Sequence, residues 1–309
     1  MHWIRTPFGM RLPVFLCCAC CLAWAEPRIY LTTKPTQKSG LNMVRIVNLT
    51  TKKEVGVYHS LTVPNTNIVL TTHHRRDVIN EINESLIAPE LEKHFYTKTH
   101  VYWKAMNSQR FHYYSQQSTK VFVEPVKVIR WVKGGDKLTE AGVDFQVVNT
   151  PGYTRGAVSY LAVIDGERCA FTGDLIYGDG KIFDLYSFQD AIPQAKVGGY
   201  HGYGARLADL VASLRKIKAW NPDIIYPARG PVINNPAEAI DKLISRVQAL
   251  YRNYLSTNAL HWYFKEDRMR ICGERVLGKG AKIDLMPYCL YLDTPAWSIQ
   301  FSTSRIIVA

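Results

Sequence analysis

Apolar residues along this chain recur first with the short period of strands and later with the longer period of helices. Met43 to Leu49 (Met-Val-Arg-Ile-Val-Asn-Leu) reads as a strand, and Asn67 to Thr72 as a buried one. After Asp77, the residues Val78, Ile79, Ile82 and Leu86 fall at helical spacing, with Asp77 placed to charge the helix start. The stretch from His94 to Ser118 is rich in Tyr, His, Lys and Gln without a clear period, and reads as a loop-rich insertion carrying one helix. Three strands follow in close order: Val143 to Asn149, Ala157 to Ile164 and Arg168 to Thr172. The last two are joined by Asp165-Gly166, a strong two-residue hairpin turn. Leu207, Leu210, Val211, Leu214 and Ile217 mark an amphipathic helix, and Asp223 to Tyr226 a short strand. A second long helix begins near Pro236, a favourable first-turn residue, with the stripe Ile240, Leu243, Ile244, Val247, Leu250 and Tyr251. Strand meanders followed by alternating strands and helices fit an α/β fold with a two-sheet core and helices outside.

The two ends of the chain break this pattern. Met1 to Arg11 carries Arg5 and Arg11 and no acid. An apolar run from Leu12 to Leu22 follows, then Ala23-Trp24-Ala25 before Glu26. That order of basic, apolar and small-x-small segments is the mark of a secretory signal peptide over residues 1–25, cleaved near Ala25. The apolar run is shorter than the ~20 residues a bilayer span needs, which argues against an uncleaved anchor. A lipid-anchored reading through Cys20 or Cys21 fits poorly, because the residues before them do not form a lipobox. Export to the periplasm or medium is the expectation, with residues 26–255 as the main domain. Past about Ser256 the pattern becomes irregular, so residues 256–309 read as a C-terminal extension. No later segment is apolar enough to cross a membrane.

Composition changes this picture little. The 309 residues are 47% hydrophobic and 21% charged, an ordinary globular balance. The formal net charge is +12, and losing Arg5 and Arg11 leaves 12 − 2 = +10. Such an excess suits either a well-solvated surface or contact with anionic partners. There is no dense Lys/Arg run with interleaved aromatics, so nucleic-acid binding is not indicated. Four of the seven cysteines lie inside the signal segment. Cys169 sits in a strand pattern and reads as a small buried hydrophobe. Cys272 and Cys289 are able to pair in an oxidising compartment. No Cys-x-x-Cys spacing supports a zinc knuckle, and no serine nucleophile elbow, P-loop or dinucleotide fingerprint is present.

The candidate chemistry lies in loops at strand ends. Thr71-Thr72-His73-His74-Arg75-Arg76-Asp77-Val78 resembles the His-x-His-x-Asp-His signature of the metallo-β-lactamase superfamily, a metal-hydrolase loop. Its ligand positions here read His73, Arg75, Asp77 and Val78. Thr150-Pro151-Gly152-Tyr153-Thr154-Arg155-Gly156 is similar to the family's Thr-Pro-Gly-His-Thr-x-Gly turn, with Tyr153 at the histidine. Phe171-Thr172-Gly173-Asp174 is similar to the segment whose aspartate bridges two metals. Pro227-Ala228-Arg229-Gly230-Pro231 resembles the final Gly-His-Gly-type loop, with Arg229 at the histidine. Four motifs in order, over about residues 40–250, imply a metallo-β-lactamase-like αβ/βα sandwich of two mixed sheets flanked by helices. They also imply a hydrolytic lineage in which a metal-bound hydroxide attacks an ester, amide, thioester or phosphoester.

Four of the seven ligand positions are substituted, by Arg75, Val78, Tyr153 and Arg229, while His73, Asp77 and Asp174 remain. A catalytic zinc takes three protein ligands and a water. Arginine offers no lone pair, and tyrosine ligates only as a phenolate with a pKa near ~10. The resemblance therefore implies no normal two-zinc centre and leaves three readings open. In the first, Arg75 and Arg229 pair with Asp77 and Asp174 and an ion-pair network holds the loops. In the second, the arginines hold an anionic small molecule, with Tyr153 as a donor. In the third, His73, Asp77 and Asp174 bind zinc or another divalent metal at a partial site, joined by His74 or His201. His74 neighbours His73 on an extended segment and is expected to face away from the site. His201 lies in a Gly/Tyr-rich loop, either an ordinary surface loop or a pocket wall. Asp179, Asp184 and Asp190 flank the same region.

Overall fold

The structure is a computed structural model that describes residues 27–32, 42–58, 68–79, 85–108, 121–196, 204–257 and 266–282. The expected signal peptide, His201 and Cys289 lie outside these residues, as does the side chain of Asp77. One sheet has six strands in sequential order: β1 (Pro27–Thr32), β2 (Met43–Asn48), β3 (Glu54–Val57), β4 (Ile68–Leu70), β5 (Ser85–Pro89) and β6 (Val128–Val132). β1 to β3 pair antiparallel, and β3 to β6 pair parallel. The other sheet runs β11-β10-β9-β8-β7, from β7 (Lys137–Glu140), β8 (Val143–Asn149), β9 (Val158–Ile164), β10 (Glu167–Gly173) and β11 (Ile224–Pro227). Only its β10–β11 pair is parallel. The helices are α1 (Arg76–Ile79), α2 (Lys93–Thr97), α3 (Thr99–Ser108), α4 (Leu207–Trp220), α5 (Pro236–Thr257) and α6 (Glu266–Leu277).

Burial follows the sequence pattern. β8 alternates, with Val143, Phe145 and Val147 buried and Asp144 and Gln146 exposed, as a strand with one covered face does. β4 and β5 are short continuous apolar runs because they lie inside the sheet among parallel neighbours. Ile46, Val55, Val69 and Leu86 meet Phe145, Val147, Tyr160 and Phe171 in a core between the sheets. A second core covers the outer face of the smaller sheet. There Leu161, Ala170 and Ile225 pack with the apolar stripes of α4 and α5. Met269, Cys272 and Val276 of α6 join that second core, so the described part of residues 256–309 contributes a helix to it. Asp165 and Gly166 have φ of 53° and 81°, the paired left-handed residues of the expected hairpin.

Two local expectations are corrected. Leu86 does not continue a helix from Val78. α1 spans only Arg76–Ile79, and Leu86 belongs to β5. A residue at i+4 from Ile82 meets helical spacing, but Leu86-Ile87-Ala88 is also a three-residue apolar run closed by Pro89, and sheet burial on both sides decides for the strand. The described part of the segment from His94 to Ser118 carries most of α2 and all of α3, where one helix was expected.

The topology gathers the four motif loops at one edge, where β4, β8, β10 and β11 end. Hydrogen bonds then fasten them to each other. Val158 N donates to Thr72 O at 3.0 Å, and Ala228 N to Gly173 O at 2.9 Å. Asn42 ties down the last loop, its Nδ2 donating to Pro227 O at 3.0 Å and to Gly230 O at 2.7 Å. Tyr58 bridges the two sheets: its hydroxyl donates to Tyr226 O and accepts from Gly173 N at 3.1 Å. Its backbone φ of 75° is unfavourable for a bulky aromatic, so the bridge offsets a local cost. Gly173 itself has a φ of 62°, and a Cβ there would lie 2.5 Å from Thr72 Oγ1. Glycine is what lets the His73 and Asp174 loops touch.

Tyr58→Phe is expected to strand the buried Gly173 N–H and to lower stability by about 1–3 kcal/mol in urea denaturation. A change below about 0.5 kcal/mol, the range of ordinary surface substitutions, would show that the bridge contributes nothing.

Candidate functional site

His73, Asp174, Arg229, Tyr153 and Arg75 meet at the edge where the loops converge, and all five are buried. Asp174 is the hub. Its Oδ2 accepts from Arg229 Nη1 at 2.5 Å and faces His73 Nε2 at 3.1 Å. Arg75 N donates to His73 Nδ1 at 3.3 Å, which assigns the ring proton to Nε2 and makes His73 a donor to Asp174. Arg229 is 0% exposed. Its Nη1 also donates to the Tyr153 hydroxyl at 3.3 Å, and its guanidinium carbon stands 4.2 Å over the Phe183 ring. The Tyr153 hydroxyl donates in turn to Asp184 Oδ2 at 3.3 Å, and Asp184 is held by Ser187 N at 2.7 Å. The Tyr153 ring lies 5.1 Å from the His73 ring and 5.3 Å from the Arg75 guanidinium carbon.

The remaining sequence candidates separate. Val78 is 2% exposed within the core between the sheets, so its side chain serves packing and not the site. His74 turns away, as expected. Its Nδ1 lies 2.7 Å from Glu92 Oε2, and its ring stacks on Phe95 at 3.9 Å. Asp190 takes the Arg155 fork and lies 3.7 Å from Arg206, while Asp179 pairs with Lys242 at the surface. Of the ion pairs expected from sequence, Arg229 with Asp174 is present. Among the described side chains, no carboxylate pairs with Arg75.

Glu92 was not legible in sequence. It follows Pro89 in a single 3-10 turn and carries no motif. Its Oε2 accepts from His74 N at 2.6 Å as well as from the ring, and its Oε1 from Gly156 N at 3.0 Å. One buried carboxylate thus clamps the His73 loop to the Tyr153 loop. Burial raises the Glu92 pKa, but His74 and the hydrogen bonds outweigh it and hold the carboxyl down at about 2. Burial likewise pushes His74 down to about 4, against the pull of Glu92, so a single proton on Nδ1 serves the contact at pH 7.

The donor set decides which ions the site fits. Among the described residues, no group of three or more His, Cys, Asp and Glu side chains is placed to hold a metal. His73 presents N–H toward Asp174, and a guanidinium already lies on the same carboxylate oxygen. A divalent cation there would need lone pairs from both and would sit against Arg229. These residues do not fit the family's metal pair.

The comparisons with known proteins agree with the motifs. No protein-family model matches the chain. A β-lactamase-like protein 2 homolog of Caenorhabditis elegans is 31% identical over 121 residues, 39% of this chain and 34% of that protein. A hydroxyacylglutathione hydrolase of Brucella ovis is 39% identical over 57 residues, 18% of this chain and 21% of that enzyme. The matches thus span about a third and a fifth of these relatives. Among solved structures, a metallo-β-lactamase family protein of Thermus thermophilus superposes with a TM-score of 0.50 at 14% identity. It covers 81% of this chain and 91% of that one. The chain has the metallo-β-lactamase fold.

Glu92→Gln would turn an amide N–H toward one of three donors and is expected to cost about 2–4 kcal/mol at pH 7, measured by urea denaturation. The pH dependence has a defined sign. A carboxyl held below its ordinary value contributes stability that is complete above about 4.5 and lost as pH falls through about 2. The variant should lose that acid-sensitive component, whereas wild-type-like stability and acid response would remove the clamp.

Proposed function

We propose that this chain is an exported metallo-β-lactamase-fold protein that does not carry out metal-hydroxide hydrolysis, a pseudoenzyme acting as a binding or scaffold protein. The observation that carries this reading is the Arg229 guanidinium lying on Asp174 at the buried centre of the site. In the family's chemistry the equivalent carboxylate bridges metals, and a metal lowers the pKa of bound water from ~15.7 to ~7. Arginine stays protonated and directs N–H donors only, so it neutralises the carboxylate without generating a nucleophile. Export rests on the basic, apolar and small-residue order of residues 1–25.

The alternative is a hydrolase with a rebuilt one-metal site. It draws on the direct contact of His73 with Asp174, on Asp77 as a third donor, and on the resemblance of one segment to a hydroxyacylglutathione hydrolase.

Metal analysis separates the two readings. Protein purified from medium supplemented with zinc, iron and manganese is expected to hold only substoichiometric metal, and its unfolding temperature should not respond to chelator. Arg229→Met should lower stability by about 3–5 kcal/mol, the cost of leaving a buried charge unpaired. Stoichiometric metal that is lost on His73→Ala or Asp174→Ala would establish the hydrolase reading instead.

A further inference from the structure

We infer that residues 183–187 form a strap that opens and closes over Arg229 and Tyr153, with Asp184 as its latch. Such a strap would serve with or without a metal beneath it. Phe183 sets its ring 4.2 Å from the Arg229 guanidinium carbon and is itself 37% exposed, so it is a layer between that cation and solvent. Arg229 beneath it is fully buried. Asp184 Oδ2 accepts from the Tyr153 hydroxyl at 3.3 Å, and Tyr153 is buried as well. The same carboxylate gathers the strap itself, accepting from Ser187 N at 2.7 Å and from Ser187 Oγ at 2.9 Å. One side chain thus shapes the strap and ties it to the site.

Both ends of the strap are fixed more firmly than its middle. Before it, Tyr177 and Lys181 exchange backbone hydrogen bonds at 2.8 and 3.1 Å. After it, Phe188 is buried, its carbonyl accepts from Arg206 N at 3.0 Å, and Asp190 takes the Arg155 fork. Between these points the described backbone bonds are local or come from a side chain: Ser187 N to Asp184, Phe188 N to Leu185 O at 3.1 Å, and Arg206 Nη2 to Ser187 O. Tyr186 is 63% exposed. The loops underneath are joined instead by backbone bonds between elements, Val158 N to Thr72 O and Ala228 N to Gly173 O. A segment with fixed ends, few bonds across elements and exposed side chains lies at the low end of local stability, where opening does not need global unfolding. Opening turns the Tyr153 hydroxyl and Arg229 toward solvent. A molecule that binds them must first displace the strap, so its apparent affinity is scaled down by the open fraction.

Hydrogen exchange read by mass spectrometry, with tyrosine nitration by tetranitromethane mapped on the same full chain, tests the strap. In the wild type, the peptide over 183–187 should exchange faster than those over 158–164 and 224–229. Tyr153 should be nitrated faster than Tyr160, which is also buried. Asp184→Ala should speed strap exchange by about tenfold, as expected for loss of a hydrogen bond to a charged group, and leave the other two peptides unchanged. Nitration of Tyr153 should rise in parallel, and that of Tyr160 should not. Equal exchange of the three wild-type peptides, or nitration of Tyr153 no faster than of Tyr160, would overturn the strap, and that comparison needs no variant to fold. Acceleration of all three peptides in Asp184→Ala would make the carboxylate part of the core, and no acceleration would remove it as the latch. Metal content of the same samples bears only on the pseudoenzyme reading, so the strap and that reading fail separately.

Discussion

A carboxylate buried at the meeting point of two sheets must have a cation or several hydrogen-bond donors beside it. Asp174 sits at the end of β10, fixed by the left-handed turn at Gly173, and cannot withdraw to solvent. An isolated ionised carboxylate in that environment would be prohibitively costly or would take up a proton. Arg229 supplies the charge from the end of β11, the parallel neighbour of β10. The same guanidinium reaches Tyr153 on a third loop, and Asp174 reaches His73 on a fourth. One charge pair therefore sets the spacing of every motif loop. Its net contribution to stability need not be large, since desolvation of both groups opposes their attraction. Its effect lies in specificity: few other loop arrangements would satisfy both groups at once.

The loops do not depend on that pair alone. Asn42, Tyr58 and Glu92 are buried polar groups whose partners belong to other loops, and each satisfies backbone groups that sheet pairing leaves over. This follows from building a site where strands end. Backbone donors and acceptors there have no ladder partner, and burial forbids water from serving all of them. Side chains fill the role, and the loops become rigid as a consequence. A metal would have been one way to organise this edge, and hydrogen-bonded clamps are another.

The parts legible in sequence were those with either a repeating period or a fixed local motif. The stripes of α4 and α5, the alternation in β8 and the Asp165-Gly166 turn were all readable, because local spacing alone sets them. The convergence of His73, Tyr153, Asp174 and Arg229 was readable through the ordered motifs. Glu92, Asn42 and Tyr58 were not, since a buried clamp is defined by residues distant in the chain: Glu92 and Gly156 are 64 positions apart. Leu86 was misread because a short apolar run fits both a helix face and a buried strand. Val78 counted as a lost ligand, yet its side chain belongs to the core between the sheets. The substitution there is a packing choice, which a motif comparison cannot distinguish from a chemical one.

Replacing a divalent ion by guanidinium groups changes the chemistry more than the electrostatics. Either kind of cation offsets the charge of a buried carboxylate. A metal accepts lone pairs and thereby acidifies water, which creates a nucleophile at neutral pH. A guanidinium offers only N–H donors in a fixed plane and acidifies nothing. What it retains is affinity for oxyanions. Ground-state binding without a nucleophile gives recognition without turnover. On the proposed metal-free reading, Arg229 neutralises the buried carboxylate and generates no nucleophile.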